Sequence, residues 1–389
     1  MRVIGPPIPP FSGGRSHTPS FGVLSTFPPT ACGIATFSAA LAAGLSANGS
    51  EVGVVRISDG LPASSKRVIG DLVNGSSRSL AQSSELLNRY DVAIVQHEYG
   101  LYGGADGDEV LEVLAGLQVP SVVVAHTILS DPTPHQRSTL VAVAAMANRV
   151  VVMSEAARER LCNRFDVDPS IVATIPHGAA IPPARSPHEP ARRPTILTWG
   201  LIGPGKGIER VIDAMAHLHS LPGLPRYLVA GQTHPRVLAT AGESYRNGLI
   251  QQASRNGVAD AVVFDATYRD VASLTELIQS CTVVALPYDS TDQVTSGVLV
   301  DAIAAGRPVV ATAFPHAVEL LASGAGIVVD RDDPEALVRA LRRVLVEPGL
   351  ASSMAAEASR LAPRMGWSVI AGAYLDLAQR LLSRDAALV

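Results

Sequence analysis

Lys66 and Lys206 are the only lysines of this chain, and the second lies in a glycine-rich segment, LTWGLIGPGKGIERVIDAM. The pattern reads as a strand, a tight turn and a helix that opens near Gly207. Gly200, Gly203, Gly205 and Gly207 permit close backbone approach, the first helical turn offers unpartnered N–H groups, and Lys206 adds a full positive charge. That chemistry suits a phosphate. The GxxxxGK[ST] spacing of a Walker loop is absent, and an ordinary strand-to-helix turn with an exposed lysine would share the pattern.

A second segment, LPYDSTDQVTSGVLVDAIAAGRPVVAT, repeats the logic: a strand, a polar loop, then a helix with Ser296 as its expected N-cap and Gly297 next. The backbone N–H groups of Ser296, Gly297 and Val298 would point into a cleft and could hold a diphosphate. Asp301, about a turn further in, could accept hydrogen bonds from ribose hydroxyls. A third segment, ATAFPHAVELL, places Pro315 and His316 before a helix and Glu319 in its first turn, where a carboxylate complements that helix's dipole.

The first half offers GVLSTFPPTACGIATFSAAL, read as a strand, a loop with Pro28 and Pro29, and a helix after Gly33 whose N–H groups could approach a diphosphate from the opposite side. DVAIVQHEYGLYGG ends a strand with Gln96, His97 and Glu98, followed by a flexible loop through Gly100, Gly103 and Gly104, of the kind that surrounds polyhydroxyl ligands. VVVAHT ends another strand with His126, which could bond a sugar hydroxyl or stabilise positive charge near an anomeric carbon. His177, in ATIPHGA, reads equally well as structural. No histidine or carboxylate cluster has metal-ligand spacing, and no GxSxG elbow or Cys-His signature is present, so neither a metal nor a covalent serine or cysteine route is expected.

Positioning these residues requires strands that end at them. FGVLS, EVGVVRI, DVAIVQHE, SVVVAHT and RVVVMS, then TILTWG, RYLVAG, AVVFDA, TVVALPY, PVVATA and GIVV, are short β-branched runs separated by helix-length segments. Continuous apolar runs of this kind mark parallel strands buried on both faces, hence two doubly wound α/β domains. In such sheets ligands sit beyond the carboxyl ends of the strands, where the polar residues above fall. The proline-rich IPPARSPHEPARRP marks the break between them. The expected organisation is a mobile tail over residues 1–20, one domain over 21–182, a hinge over 183–194, a second domain over 195–365, and a terminal helix within 366–389 that could pack back across the junction.

A length of 389 residues is ample for two domains, and 47% hydrophobic against 17% charged residues supports large cores. The net charge of −4 has no basic block, so no nucleic-acid footprint is present. Cys32, Cys162 and Cys281 are odd in number and far apart, which points to free thiols in a reducing compartment. The proline-interrupted N-terminus fits neither a signal peptide nor a membrane span, so a cytoplasmic location is expected.

In this order the motifs resemble the GT-B glycosyltransferases of the large family 4, retaining enzymes with two Rossmann-like domains facing across a cleft and the donor site in the C-terminal one. The resemblance covers nearly the whole chain after the tail. It implies that Gly33 marks the N-domain diphosphate loop, His126 is the active-site histidine, and Gly205 and Lys206 contact the donor phosphate. Ser296 and Gly297 would cradle the diphosphate, Gln293 and Asp301 would meet the ribose or sugar, and His97, Glu98 and Tyr99 would face the acceptor. Two departures stand out: the family's two glutamates seven residues apart become Gln293 and Asp301, and the arginine of its Arg-Lys pair becomes Leu201. A subgroup with TFPP-type, HEYG-type and Gln-x-x-Ser-Gly segments is the closer match. The implied activity is transfer of a hexose, mannose or glucose favoured, from a nucleotide-diphosphate sugar to a carbohydrate or other hydroxyl acceptor, without metal or cofactor. A non-hydrolysing sugar-nucleotide epimerase and a non-catalytic sugar-nucleotide-binding protein are the alternatives.

Overall fold

The computed structural model describes residues 18–183 and 193–385. Residues 184–192, most of the expected hinge, lie outside the described residues, as does most of the expected tail. The end of that tail is fixed: Ser20 bonds the Asp91 carboxylate through its backbone N–H and its hydroxyl, both at 2.7 Å. This bond anchors the chain one residue before the first strand.

The first sheet contains β1 (Phe21–Ser25), β2 (Val52–Ile57), β3 (Val68–Leu72), β4 (Val92–His97), β5 (Ser121–Ala125), β6 (Arg149–Val152) and β7 (Val172–Thr174), in the order 3-2-1-4-5-6-7. The second contains β8 (Thr195–Trp199), β9 (Arg226–Ala230), β10 (Val262–Asp265), β11 (Val283–Leu286), β12 (Val309–Thr312) and β13 (Gly326–Val329), in the order 10-9-8-11-12-13. All pairings are parallel. These are the two Rossmann-like layers of a GT-B fold, and burial explains why the sequence shows them: β1, β4, β5, β8, β11 and β12 are buried at every residue. The run pattern does not show β3 and β7. Both are outer strands, one alternating in exposure and the other three residues long.

Each sheet is sandwiched by two hydrophobic clusters. The terminal helix Trp367–Asp385 contributes Ile370, Ala371, Tyr374, Leu377 and Leu381 to the cluster around Phe37, Leu41 and Leu45. It therefore packs on helix Gly33–Ala47 of the first half, and Asn48 Nδ2 donates to the Ser368 carbonyl at 3.1 Å. Further bonds tie the halves together. Arg160 reaches the carbonyl and carboxylate of Asp292 at 3.0 and 3.3 Å, Ser130 N–H donates to the same carboxylate at 2.9 Å, and Ser154 Oγ donates to the Val294 carbonyl at 2.6 Å. Among the described residues, no helix is long and apolar enough to cross a membrane.

Candidate active site

Strand order reverses between β1 and β4 and between β8 and β11, which is where open α/β sheets leave a crevice. On the C-terminal side, helix Ile208–Leu218 opens after Gly207. Gly207 has φ +65°, and a Cβ there would collide with the Pro287 carbonyl, so only glycine lets this loop lie on the next one. Gly205, by contrast, is open: its φ is +87°, a Cβ there would meet nothing within 4 Å, and its carbonyl accepts from Asp289 N–H at 3.0 Å. Between them Lys206 holds Nζ 4.6 Å from the centre of the buried Tyr288 ring. Tyr288 stacks in turn on Phe314, centroid to centroid 5.2 Å. Burial lowers the Lys206 pKa, and no carboxylate lies within ion-pair reach of it among the described residues.

Ser296 caps helix Gly297–Ala304, its hydroxyl accepting from Leu299 N–H at 3.2 Å. The expectation that Ser296 N–H serves a diphosphate is corrected: it donates to His316 Nδ1 at 2.9 Å. Burial holds His316 down to about pKa 4, so it is a neutral acceptor. The N–H groups of Gly297 and Val298 remain without a protein partner among the described residues. Gln293 spends its amide N–H on the Thr295 carbonyl at 3.2 Å and holds the loop. Asp301 is half-buried without a side-chain partner among the described residues, and desolvation raises its carboxyl to about 7.

The third segment is also corrected. Its helix runs Pro315–Leu321, because proline needs no N–H partner at the first position, so His316 lies inside the first turn and Glu319 beyond it. Glu319 serves a different helix. Its two oxygens accept from Glu155 and Ala156 N–H, each at 3.0 Å, at the start of helix Glu155–Phe165 in the other half.

On the N-terminal side, Gly33 opens its helix and a Cβ there would meet nothing within 4 Å. The N-cap is Cys32, whose Sγ accepts from Ala35 N–H at 3.3 Å, and Gly33 and Ile34 N–H are left free among the described residues. One turn on, Phe37 sets its edge against His126 at 5.0 Å and His177 at 5.1 Å. His126 Nε2 lies 2.6 Å from Gln96 Oε1 and donates to it. Burial, helped by His177 and His97, depresses the His126 pKa to about 3, so the ring is neutral. It carries no positive charge that would oppose charge developing on an anomeric carbon. His97 is fully buried, both nitrogens without a partner among the described residues, edge-on to Tyr99 at 5.4 Å, and burial holds it at about 4. Glu98 is half-buried and accepts from Thr127 Oγ1.

His177 joins the two sides. Its Nδ1 lies 2.6 Å from the Gly178 carbonyl, and a Cβ on Gly297 would stand 3.0 Å from its Nε2. The structure thus links Gly33, through Phe37, His126 and His177, to Gly297, with Asp301 one turn further along the Gly297–Ala304 helix, Lys206 beside Tyr288, and Glu98 and Tyr99 directly after β4. Sequence reasoning did not single out Tyr288, and it gave no site role to His177. The aromatic after LP and the proline-flanked histidine were the available signals.

Residues 31–181 match the family described as Glycosyltransferase Family 4, and residues 184–361 match Glycosyl transferases group 1. A D-inositol 3-phosphate glycosyltransferase of Saccharomonospora viridis is 29% identical over 288 residues, 67% of this chain and 64% of that protein. One from Streptomyces bingchenggensis is 25% identical over 67% of this chain and 61% of its own length. The chain thus spans less than two thirds of these relatives. Among solved structures, sucrose-phosphate synthase from Thermosynechococcus elongatus superposes with TM-score 0.74 at 19% identity, covering 94% of this chain and all of the other. HepE of Anabaena, solved in complex with UDP, gives 0.72 at 17% identity over 94% of this chain and 100% of its own.

Proposed function

The chain belongs to the group 1, family 4 glycosyltransferases, and from that premise we propose that it transfers a hexose, glucose or mannose favoured, from a nucleoside-diphosphate sugar to a hydroxyl acceptor with retention of configuration. The observation that carries this reading is Lys206, a half-buried cation without a carboxylate partner among the described residues, in a cleft with two helix N-termini that keep free N–H groups. A diphosphate supplies the missing negative charge.

In this reading the bond from the anomeric carbon to the diphosphate oxygen breaks, and a bond to the acceptor hydroxyl oxygen forms on the same face. The hydroxyl proton leaves on the diphosphate. Lys206 and the Gly297 and Val298 N–H groups stabilise the departing charge, and neutral His126, with Nε2 held by Gln96, offers its Nδ1 lone pair to a sugar hydroxyl. Asp301 accepts from the ribose. With Leu201 in place of the family's arginine, Arg210 paired to Asp289 at 2.9 Å and Arg246 bonded to Gly231 and Thr233, the phosphates rely on Lys206 and backbone donors. UDP and UDP-glucose occupy the structural neighbour HepE, which supports a donor of that class. Three free cysteines support a reducing, cytoplasmic setting.

Calorimetry with UDP, GDP and ADP on the wild type and Lys206→Ala tests the reading. Selective binding that weakens at least about tenfold in the variant is expected, since one charge-assisted contact contributes roughly 1.5–3 kcal/mol. No binding by folded protein would sink it. The NMR coupling of the product's anomeric proton then reports retention, and an epimer formed without acceptor would identify an epimerase instead.

A further inference from the structure

Resting on the transferase reading, we propose that the acceptor is an unphosphorylated polyhydroxyl compound and that Glu98 is the residue that selects it. Glu98 closes β4 at the point where strand order reverses, accepts from Thr127 Oγ1, and Thr127 directly follows His126. The carboxylate is therefore fixed beside the reacting centre. Its pKa is raised by burial, with Thr127 and Arg236 opposing that shift. Two more carboxylates lie further along the loop that follows β4. Asp106 and Asp108 hold His135 at 3.0 and 3.5 Å, and the buried Tyr99 hydroxyl has no partner among the described residues.

The cation that faces Glu98 comes from the other half. Arg236 begins helix Pro235–Ala241, and its guanidinium lies where a Cβ on Gly100 would stand. A phosphate entering between the two would gain Arg236 but would sit against a carboxylate that is already desolvated, and like charges so juxtaposed cost several kcal/mol. Vicinal hydroxyls have no such conflict, because each can donate to a Glu98 oxygen. The curated relatives are named for D-inositol 3-phosphate, so on this proposal the chain differs from them in acceptor class. The transfer itself is unchanged: the acceptor oxygen gains the anomeric carbon and its proton departs on the diphosphate.

The test uses the full chain, the donor sugar nucleotide chosen by the binding measurement above, and paired acceptors: inositol with inositol 3-phosphate, and glucose with glucose 6-phosphate. The unphosphorylated member of at least one pair should show a kcat/KM higher by about tenfold or more. Glu98→Gln, which keeps the shape and removes the charge, should narrow that ratio at least about fivefold while leaving the affinity for the nucleoside diphosphate unchanged. A purely structural Glu98 would lower both members of a pair alike. Preference for the phosphorylated member, an unchanged ratio in Glu98→Gln, or nucleotide binding without transfer to either member of any pair overturns this proposal alone. Absence of nucleotide binding overturns the transferase reading and the proposal with it.

Discussion

Asp301 shows how burial converts one carboxyl into a reporter of its ligand. Desolvation raises it to about 7, against an ordinary value of 3.8, and its oxygens have no protein donor among the described residues. Ribose hydroxyls would supply donors to the anion, so binding and deprotonation must be coupled. Nucleoside-diphosphate affinity is expected to rise by up to about tenfold in all between pH 6 and 8, levelling off above the Asp301 pKa. Asp301→Asn should remove that component and leave only the titration of the phosphates. Parallel slopes for the two proteins in pH-resolved calorimetry would exclude the contact. Stability has the opposite sign: with the folded pKa raised, the stabilising contribution is full below about 4 and is lost as pH rises through 7. The turn that carries Gly205 and Lys206 and the helix start at Gly297 were legible in the sequence, because glycine and a polar cap punctuate a strand-to-helix turn. Tyr288 and His177 were not, since an aromatic after a strand reads as core until its neighbours are known.

At the scale of elements, strands buried on both faces announce themselves, and the runs that end in His97, Ala125 and Trp199 were legible for that reason. The outer strand β3 does not, because its residues alternate in exposure and the apolar run breaks, whereas the outer strands β10 and β13 keep readable runs. Helix caps divide in the same way. Ser296 caps its own helix and is readable from local pattern. Glu319 caps a helix some 160 residues away in sequence, which no local rule can show. That bidentate cap ties helix Pro315–Leu321, and through His316 the Ser296 loop, to the first half. Glu319→Ala should therefore cost about 1–2 kcal/mol of stability in chemical unfolding. The amides of Glu155 and Ala156 should exchange faster in the variant, while those of the Gly33–Ala47 helix should not. Unaltered exchange at Glu155 and Ala156 would show that water replaces the cap without cost.

Across the whole molecule, one chain builds two sheets and then returns, so that the core of the first half is completed by residues beyond Met365. Trp367 touches Phe37 at 5.1 Å and His177 at 5.8 Å, which places the returning helix directly behind the site. The same junction concentrates histidines in the neutral form. His97, His126, His177 and His316 are all held at about 3 to 4, with burial the largest cause in each. An unfolded chain would protonate each near 6.5, so between about 6.5 and 4 it binds protons that the folded chain refuses, and stability falls as pH falls through that window. For His97, fully buried with no partner on either nitrogen among the described residues, the loss is on the order of 3 kcal/mol. His97→Phe keeps a flat ring against Tyr99 and removes the proton acceptor. Its acid unfolding midpoint, followed by circular dichroism, should fall by several tenths of a pH unit while stability at pH 7 stays within about 1 kcal/mol of wild type. An unmoved midpoint would mean that His97 takes up its proton by opening locally, and that the acid limit of the fold is set by the remaining three rings around the cleft.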